Sequence, residues 1–201
     1  MQAARGTSVD HHEDGSGRTG SGFLARPRTW LLFVGVAAVM VAIDQVAKVL
    51  AVRHLTDEPD VEVVGELLQL HLTYNPGAAF SLGTRFTVAI ACLACAATLV
   101  VLWVSRRVTN KVWAVGLGLL LAGIDGNLID RMLREPGPFR GHVVDFLMLP
   151  NWPVFNVADI CINVGVGLIL VQVLRGVNLD GSRVESRSSE QAGPEEAEGE
   201  Q

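Results

Sequence analysis

Two aspartates, Asp145 and Asp159, are the residues whose type and position most directly indicate chemistry. Asp145 lies just before an apolar segment, and Asp159 lies within the first turns of that segment. An ionised carboxylate in or beside the hydrocarbon layer of a membrane is costly, so it usually faces a polar cavity and marks a functional site. Two carboxylates that approach closely share one proton, because they cannot both ionise readily. The ionised member could activate a water against a peptide carbonyl that the protonated member polarises, which is aspartyl general acid/base chemistry.

The composition indicates that these carboxylates belong to a membrane protein. The chain has 201 residues, 49% of them hydrophobic, and a mean hydropathy of +0.35, which is too apolar for an ordinary soluble domain. A helix needs about 20 residues to cross a bilayer. Four apolar stretches are long enough to do so: 30–52, 86–104, 112–128 with its polar continuation, and 154–174. A tryptophan lies at or near one end of each, as expected at a membrane interface; these are Trp30, Trp103, Trp113 and Trp152.

The basic residues orient the four predicted spans. They precede span one, fill the connection between spans two and three, and follow span four, whereas the first connection is acidic and the third holds three arginines that weaken the bias without reversing it. The positive-inside rule then places both termini in the cytoplasm and the two longer loops outside. Residues 1–25 and 176–201 are rich in Gly, Ser and charge, which predicts disordered cytoplasmic tails, the second of them acidic, around a membrane domain at 26–175.

The first outer loop contains a strand pattern. Residues 68–74 alternate apolar and polar side chains, and this period of two predicts a half-buried strand or hairpin at the membrane surface. Asn75-Pro76-Gly77 follows and is a favourable turn sequence.

On this topology the unusual polar residues lie at similar depth, at the outer end of the bundle. They are Asp44, Lys48, Asn75, Asn127, Asp130, Arg131, Asp145, Asn156, Asp159 and Asn163. The pair Asp44 and Lys48 is four residues apart on one helix face, and it could fix helix packing or act directly in catalysis. Asn127 and Arg131 could likewise do no more than hydrogen-bond neighbouring helices. Asp125 lies in span three, well round the helix from Asn127, and its partner is not evident.

Other classes of site are disfavoured by the sequence. Cys92, Cys95 and Cys161 all lie in apolar segments without a second cysteine pair or a histidine cluster, so we interpret them as structural and predict no metal. No basic patch with interleaved aromatic residues is present, which argues against nucleic acid as a partner.

Five segments together resemble the bacterial lipoprotein signal peptidases (signal peptidase II), a family of intramembrane aspartyl proteases with four spans. The resemblance covers roughly residues 30–174, and five segments in order are far more specific than any one alone. The segments are Asp44-Gln45-Val46-Ala47-Lys48, Asn75-Pro76-Gly77-Ala78-Ala79-Phe80-Ser81, Gly126-Asn127-Leu128-Ile129-Asp130-Arg131, Val144-Asp145-Phe146 and Phe155-Asn156-Val157-Ala158-Asp159.

The resemblance implies an α-helical membrane protein with four transmembrane helices and a small extracytoplasmic β-cradle in the first outer loop. It implies that Asp145 and Asp159 form the catalytic dyad. Residues implied to support the site or contact substrate are Asp44, Lys48, Asn75, Gly77, Asn127, Asp130, Arg131 and Asn156. The implied substrates are diacylglyceryl-modified prolipoproteins, cut just before the lipidated cysteine in the bacterial plasma membrane, without metal or organic cofactor. Four spans could suffice as a monomer in contact with membrane lipid.

Three other interpretations make different predictions. A small proton- or ion-coupled transporter would spread its polar groups through the membrane depth and contain an internal repeat. A non-enzymatic scaffold would tolerate Asn at both Asp145 and Asp159. A presenilin-type protease would carry a Gly-x-Gly-Asp signature, which is missing here.

Overall fold

The computed structural model describes residues 27–77 and 87–183. In chain order these form α1 (Pro27–Leu55), β1 (Val61–Val64), β2 (Leu68–Asn75), α2 (Thr87–Ser105), α3 (Lys111–Leu133), β3 (Val143–Met148) and α4 (Val157–Leu174). Residues 78–81 of the turn sequence that follows β2, the predicted tail at 1–25, and residues 184–201 of the predicted tail at 176–201 lie outside the described residues.

The four predicted spans are confirmed as helices long and apolar enough to cross a membrane. Their ends are set by local chemistry. α4 begins at Val157, later than the predicted 154, because the Asn156 side chain caps its first turn. α3 continues beyond the predicted 128 to Leu133, so its polar end stays helical.

Helix α3 is the centre of the bundle and contacts α1, α2 and α4. Two glycines allow this close packing. A Cβ at Gly123 would collide with the Ala158 carbonyl oxygen and with Ile162 on α4, and a Cβ at Gly126 would lie 2.7 Å from Asp44 Oδ2 on α1. The backbone of α3 therefore approaches both neighbours at the level of the predicted site, as small residues permit in membrane helices.

The three strands form one antiparallel sheet in the order β1-β2-β3. The predicted strand at 68–74 is confirmed by β2, but β3 comes from the connection between α3 and α4 and was not predicted. Val144 and Phe146 of β3 pack on Ala51 and Leu55 at the C-terminal end of α1. Burial of a side chain such as Phe146 contributes about 1.5–3 kcal/mol, so this contact fixes the sheet on the bundle.

The end of the bundle opposite the sheet differs from two expectations. Trp113 lies in the first turn of α3, but it is buried in a core beside Phe33 and Leu117, and its Nε1 donates to the Val177 carbonyl at 3.0 Å. Residues 176–183, which the composition assigns to a disordered tail, are instead ordered. Residues 176–183 form a turn in which Asn178 N donates to Ser182 O, and the Leu179 carbonyl accepts hydrogen bonds from the backbone between α2 and α3. We call residues 176–183 the docked turn.

Candidate active site

Asn156 connects the two aspartates that the sequence singles out. Its side-chain oxygen accepts a hydrogen bond from Asp159 N at 3.0 Å, and its own backbone N–H donates to Asp159 Oδ2 at 3.1 Å. This reciprocal capping box fixes Asp159 in the first turn of α4. Asn156 Nδ2 also donates to Asp145 Oδ1 at 2.6 Å. One buried asparagine therefore holds both carboxylates at the start of α4.

The sheet supplies the second contact to Asp145. In the antiparallel pairing of β2 with β3, Thr73 lies opposite Asp145 and Asn75 lies opposite Val143. Asn75 Nδ2 reaches across this pairing and donates to Asp145 Oδ2 at 3.0 Å. Both oxygens of the Asp145 carboxylate thus accept an amide hydrogen bond, which holds the group in one orientation.

Asn127 on α3 performs the same function for Asp159. Its Nδ2 donates to Asp159 Oδ1 at 2.9 Å. Its Oδ1 accepts hydrogen bonds from Lys48 Nζ at 3.0 Å and from Asn156 Nδ2 at 3.1 Å. Because a cation and an amide both donate to Oδ1, the amide group of Asn127 is turned with its donor toward Asp159.

Lys48 is the centre of a buried ionic network behind the aspartates. Its ammonium lies 2.9 Å from Asp44 Oδ2 and 2.8 Å from Asp130 Oδ2, and all three side chains are essentially inaccessible to water. Asp44 Oδ1 accepts a hydrogen bond from Ala158 N at 2.8 Å, and Asp130 Oδ1 pairs with Arg134 Nε at 2.7 Å. The network ties α1 and α3 to the first turn of α4. Of the two roles open to Asp44 and Lys48, the geometry favours positioning.

Arg131 extends the network toward the connection between α1 and α2. Its Nη2 donates to the Gly77 carbonyl, and Gly77 N in turn donates to Asn75 Oδ1 at 3.0 Å. The side chain is buried, yet Nη1 has no hydrogen-bond partner among the described residues. An unpaired buried donor of this kind is costly unless something else occupies it.

Burial raises the pKa of Asp145 from 3.8 to about 6, with a further contribution from the nearby Asp159 carboxylate and opposing hydrogen bonds from Asn75 and Asn156. Removal of a carboxylate from water disfavours its charged form, and a like charge adds to that effect. The protonated form of Asp145 is therefore accessible near neutral pH, as acid/base chemistry requires.

Both aspartates line one cleft of about 540 Å³ between α2, α3 and α4. One side of the cleft is polar, and the opposite side is an apolar stripe of α2. The polar side holds Asn75, Gly77, Asn127, Arg131, Asp145 and Asp159, and the stripe consists of Ile90, Leu93, Ala94 and Ala97. The cleft thus combines a carboxylate pair with an apolar wall formed by α2.

The family described as Signal peptidase (SPase) II matches residues 36–175 of this chain. The chain belongs to the signal peptidase II family. It is 43% identical over 154 residues to the lipoprotein signal peptidase of Mycobacterium leprae, with 77% of each protein covered. It is 44% identical to the lipoprotein signal peptidase of Mycobacterium avium, over 77% of this chain and 85% of that protein.

The signal peptidase II fold is also supported by solved structures. A bacterial membrane enzyme solved at 2.3 Å resolution superposes with a TM-score of 0.63 at 27% identity, covering 75% of this chain and 90% of that one. A second, solved at 1.9 Å, gives a TM-score of 0.64 at 26% identity, covering 76% and 96%. Family membership makes the chain an aspartic membrane protease, which confirms the resemblance stated from its motifs.

The structure brings most of the predicted site residues of this signal peptidase into one network, but not all of the polar residues at this depth. Asn163 lines the cleft, but within the described part of the chain its side chain donates only to the backbone carbonyl of Asp159. Asp125 lies on the α2 side of α3 and accepts a hydrogen bond from Thr98. Arg134, one of the three arginines that the sequence places in the third connection, is the second cation on Asp130. Its spacing of four residues from Asp130 on one helix is the signal that could have found it.

Proposed function

We propose that this chain removes signal peptides from diacylglyceryl-modified prolipoproteins, cutting just before the lipidated cysteine, with Asp145 and Asp159 as its catalytic dyad. The observation that carries the proposal is the capping asparagine Asn156, which donates to both carboxylates at the mouth of a single cleft. A carboxylate pair held by one residue is well placed to share a proton and to flank one water molecule.

The reaction proceeds by general acid/base catalysis. The ionised aspartate removes a proton from the water whose oxygen attacks the scissile carbonyl carbon, and the protonated aspartate donates to the carbonyl oxygen. In the tetrahedral intermediate the amide nitrogen accepts the proton that the first aspartate took from water, and the carbon–nitrogen bond breaks. A hydroxyl of the intermediate returns its proton to the second aspartate as the carbonyl re-forms, which restores the starting protonation of the pair. The products are a signal peptide with a new carboxyl terminus and a lipidated cysteine with a free α-amine. The raised pKa of Asp145 supports a role for it in carrying the shared proton.

Asn75, Asn127 and Asn156 hold the dyad, and Arg131 contacts substrate. The three amides occupy carboxylate oxygens of Asp145 and Asp159. The unused Nη1 donor of Arg131, at the rim of the same cleft, is available for a backbone carbonyl of the bound peptide. A buried donor that is satisfied only when substrate is present favours binding of an extended peptide over water.

The site faces the extracytoplasmic side, and both termini are cytoplasmic. The asymmetry of Lys and Arg across the connections supports this orientation. A lipid-modified cysteine keeps its acyl chains in the outer leaflet, which presents the scissile bond at the level of the dyad. The apolar α2 stripe is then available to the acyl chains. One chain supplies every side chain of the site described here, so a monomer suffices.

The test is a gel-shift cleavage assay of the purified full-length chain in detergent or lipid. A model prolipoprotein is supplied with and without its diacylglyceryl group to wild type, Asp145→Asn, Asp159→Asn and the control Asp180→Asn, an exposed carboxylate of the docked turn. We expect wild type and the control to cleave only the lipidated form, and both dyad variants to be inactive while folded. Cleavage by a folded Asp145→Asn or Asp159→Asn variant would show that the replaced aspartate is not part of the dyad. Equal cleavage of the lipidated and unlipidated substrates would show that the enzyme does not select for the lipid.

A further inference from the structure

Asp125 is a carboxylate within a membrane span that the proposed reaction does not use. Its Oδ1 accepts a hydrogen bond from Thr98 Oγ1 at 2.6 Å. No basic side chain lies within ion-pairing distance of it among the described residues. Acidic side chains within spans are rare and are usually retained for a specific function, so the contact with Thr98 requires an explanation.

The hydrogen bond lies on the seam between α2 and α3. Ala91, Val101 and Ser105 are buried on α2, and Thr98 occupies the same helical face at intervals of seven and three residues from Ala91 and Val101. The hydrogen bond from Thr98 to Asp125 joins side chains of these two helices across the seam. Helix α2 packs mainly on α3 and has at most marginal contact with α1 and α4. Its position therefore depends strongly on this seam.

The same hydrogen bond lies at the inner end of the cleft. On α2 the cleft stripe ends at Ala97, and on α3 the innermost cleft residue is Ile124. Thr98 follows Ala97 on α2, and Asp125 follows Ile124 on α3. Because these consecutive helices run antiparallel, Thr98 lies just beyond the end of the stripe, while Asp125 lies level with the innermost cleft residues of α3. The bond therefore joins the two helices beside the floor of the cleft. Displacement of α2 along α3 would move Ala97 relative to Ile124 and change the depth of the apolar part of the cleft.

We propose that Thr98 and Asp125 are positioning residues that fix α2 against α3. The position of α2 thereby sets the length of the acyl chains that the cleft accepts. The inference rests on the proposed function, because it requires a diacylated substrate in the cleft. It assigns Asp125 a role in substrate selectivity rather than in bond cleavage. Loss of the bond releases α2, weakens binding of the acyl chains and leaves the dyad unchanged.

The experiment compares substrates with palmitoyl and lauroyl chains on the full chain. Hydrogen bonds between membrane helices contribute modestly, so we expect Thr98→Val and Asp125→Ala each to change the palmitoyl-to-lauroyl ratio of kcat/KM by about threefold to tenfold, through KM, with kcat within about twofold of wild type. The double variant should match the single variants, since one contact is lost in all three. Thr98→Ser and Asp125→Asn keep a donor and an acceptor and should restore the wild-type ratio.

Ser105→Ala is the matched control. Ser105 is a buried hydroxyl on the same seam, but it donates within α2 to the Leu102 carbonyl at 2.8 Å, so its removal should leave the ratio unchanged. An unchanged ratio in folded Thr98→Val, or an equal shift in Ser105→Ala, would overturn the inference. Should Thr98→Val not fold, Thr98→Cys, with a weaker donor of similar size, should shift the ratio in the same direction, and no shift there would also overturn it. Absence of lipid-dependent cleavage by wild type would instead overturn the proposed function.

Discussion

Replacement of Asp145 by Asn should stabilise the protein at neutral pH while it abolishes cleavage. The folded state raises the pKa of Asp145 from 3.8 to about 6, chiefly by burial. A difference of about two pKa units corresponds to about 3 kcal/mol at 1.36 kcal/mol per unit. Because the folded state binds this proton more tightly than the unfolded state, wild type loses that stability as pH rises from about 4 to about 6.

The neutral amide escapes this penalty but makes one hydrogen bond fewer. Asn75 and Asn156 both donate to Asp145, and an amide at position 145 has one acceptor oxygen, so one donor loses its partner at a cost of about 1 kcal/mol. The net stabilisation is then about 2 kcal/mol above pH 6, and below about pH 4 the variant should be the less stable protein by about 1 kcal/mol.

Thermal unfolding of the detergent-solubilised variants across this pH range measures the effect. Asp130→Asn is the matched control, because the same chemical change there weakens ion pairs with Lys48 and Arg134 and should destabilise the protein at neutral pH. A lower Tm for Asp145→Asn than for wild type at pH 7.5, or a difference that does not change with pH, would refute the reasoning.

Three further changes test the scaffold of the site. Lys48→Met leaves two buried carboxylates without their shared cation and should cost about 3–5 kcal/mol, measured by the same unfolding assay. Gly126→Ala places a Cβ 2.7 Å from Asp44 Oδ2, so it should lower the free energy of unfolding by about 1–3 kcal/mol and reduce the rate of cleavage. Gly167→Ala is the control, because a Cβ there meets nothing within 4 Å, and it should change neither quantity. Truncation after Arg175 removes the docked turn and should lower the Tm, whereas truncation after Arg183 should not; equal Tm values for the two would show that the turn contributes nothing.

The helices and the location of the candidate site could be predicted from the sequence because a membrane span must be apolar. Spans and the polar residues within them can therefore both be recognised from hydropathy. Hydropathy over about 20 residues identifies a span, and in an apolar span a residue such as Asp44 or Asp159 is conspicuous. Once the spans are oriented, polar residues at their outer ends must lie at one depth. The network of Asn127, Asp145 and Asn156 is the consequence of that constraint.

The features that were missed depend on contacts between distant segments. Strand β3 is buried along most of its length, so its sequence shows no alternation that could distinguish it from the neighbouring apolar segment. Trp113 has the residue type and the span-end position that are typical of a membrane interface. Its packing beside Phe33 and its bond to Val177, which only the structure shows, place it in a core. The docked turn has the polar composition of a tail and is ordered by backbone hydrogen bonds, which composition does not encode.

The charge balance of the ionic network around Lys48 and the two aspartates supports a shared proton independently of any one pKa. Four carboxylates, those of Asp44, Asp130, Asp145 and Asp159, face the three cations Lys48, Arg131 and Arg134 within the network described. With every group ionised the cluster would carry one excess negative charge in a buried site, which is costly. Lys48 and Arg134 are engaged by Asp44 and Asp130, so the excess falls on the pair Asp145 and Asp159. Below the pKa of Asp145, about 6, one proton held between these two aspartates makes the cluster neutral, and that is the protonation state from which the proposed dyad would begin its reaction.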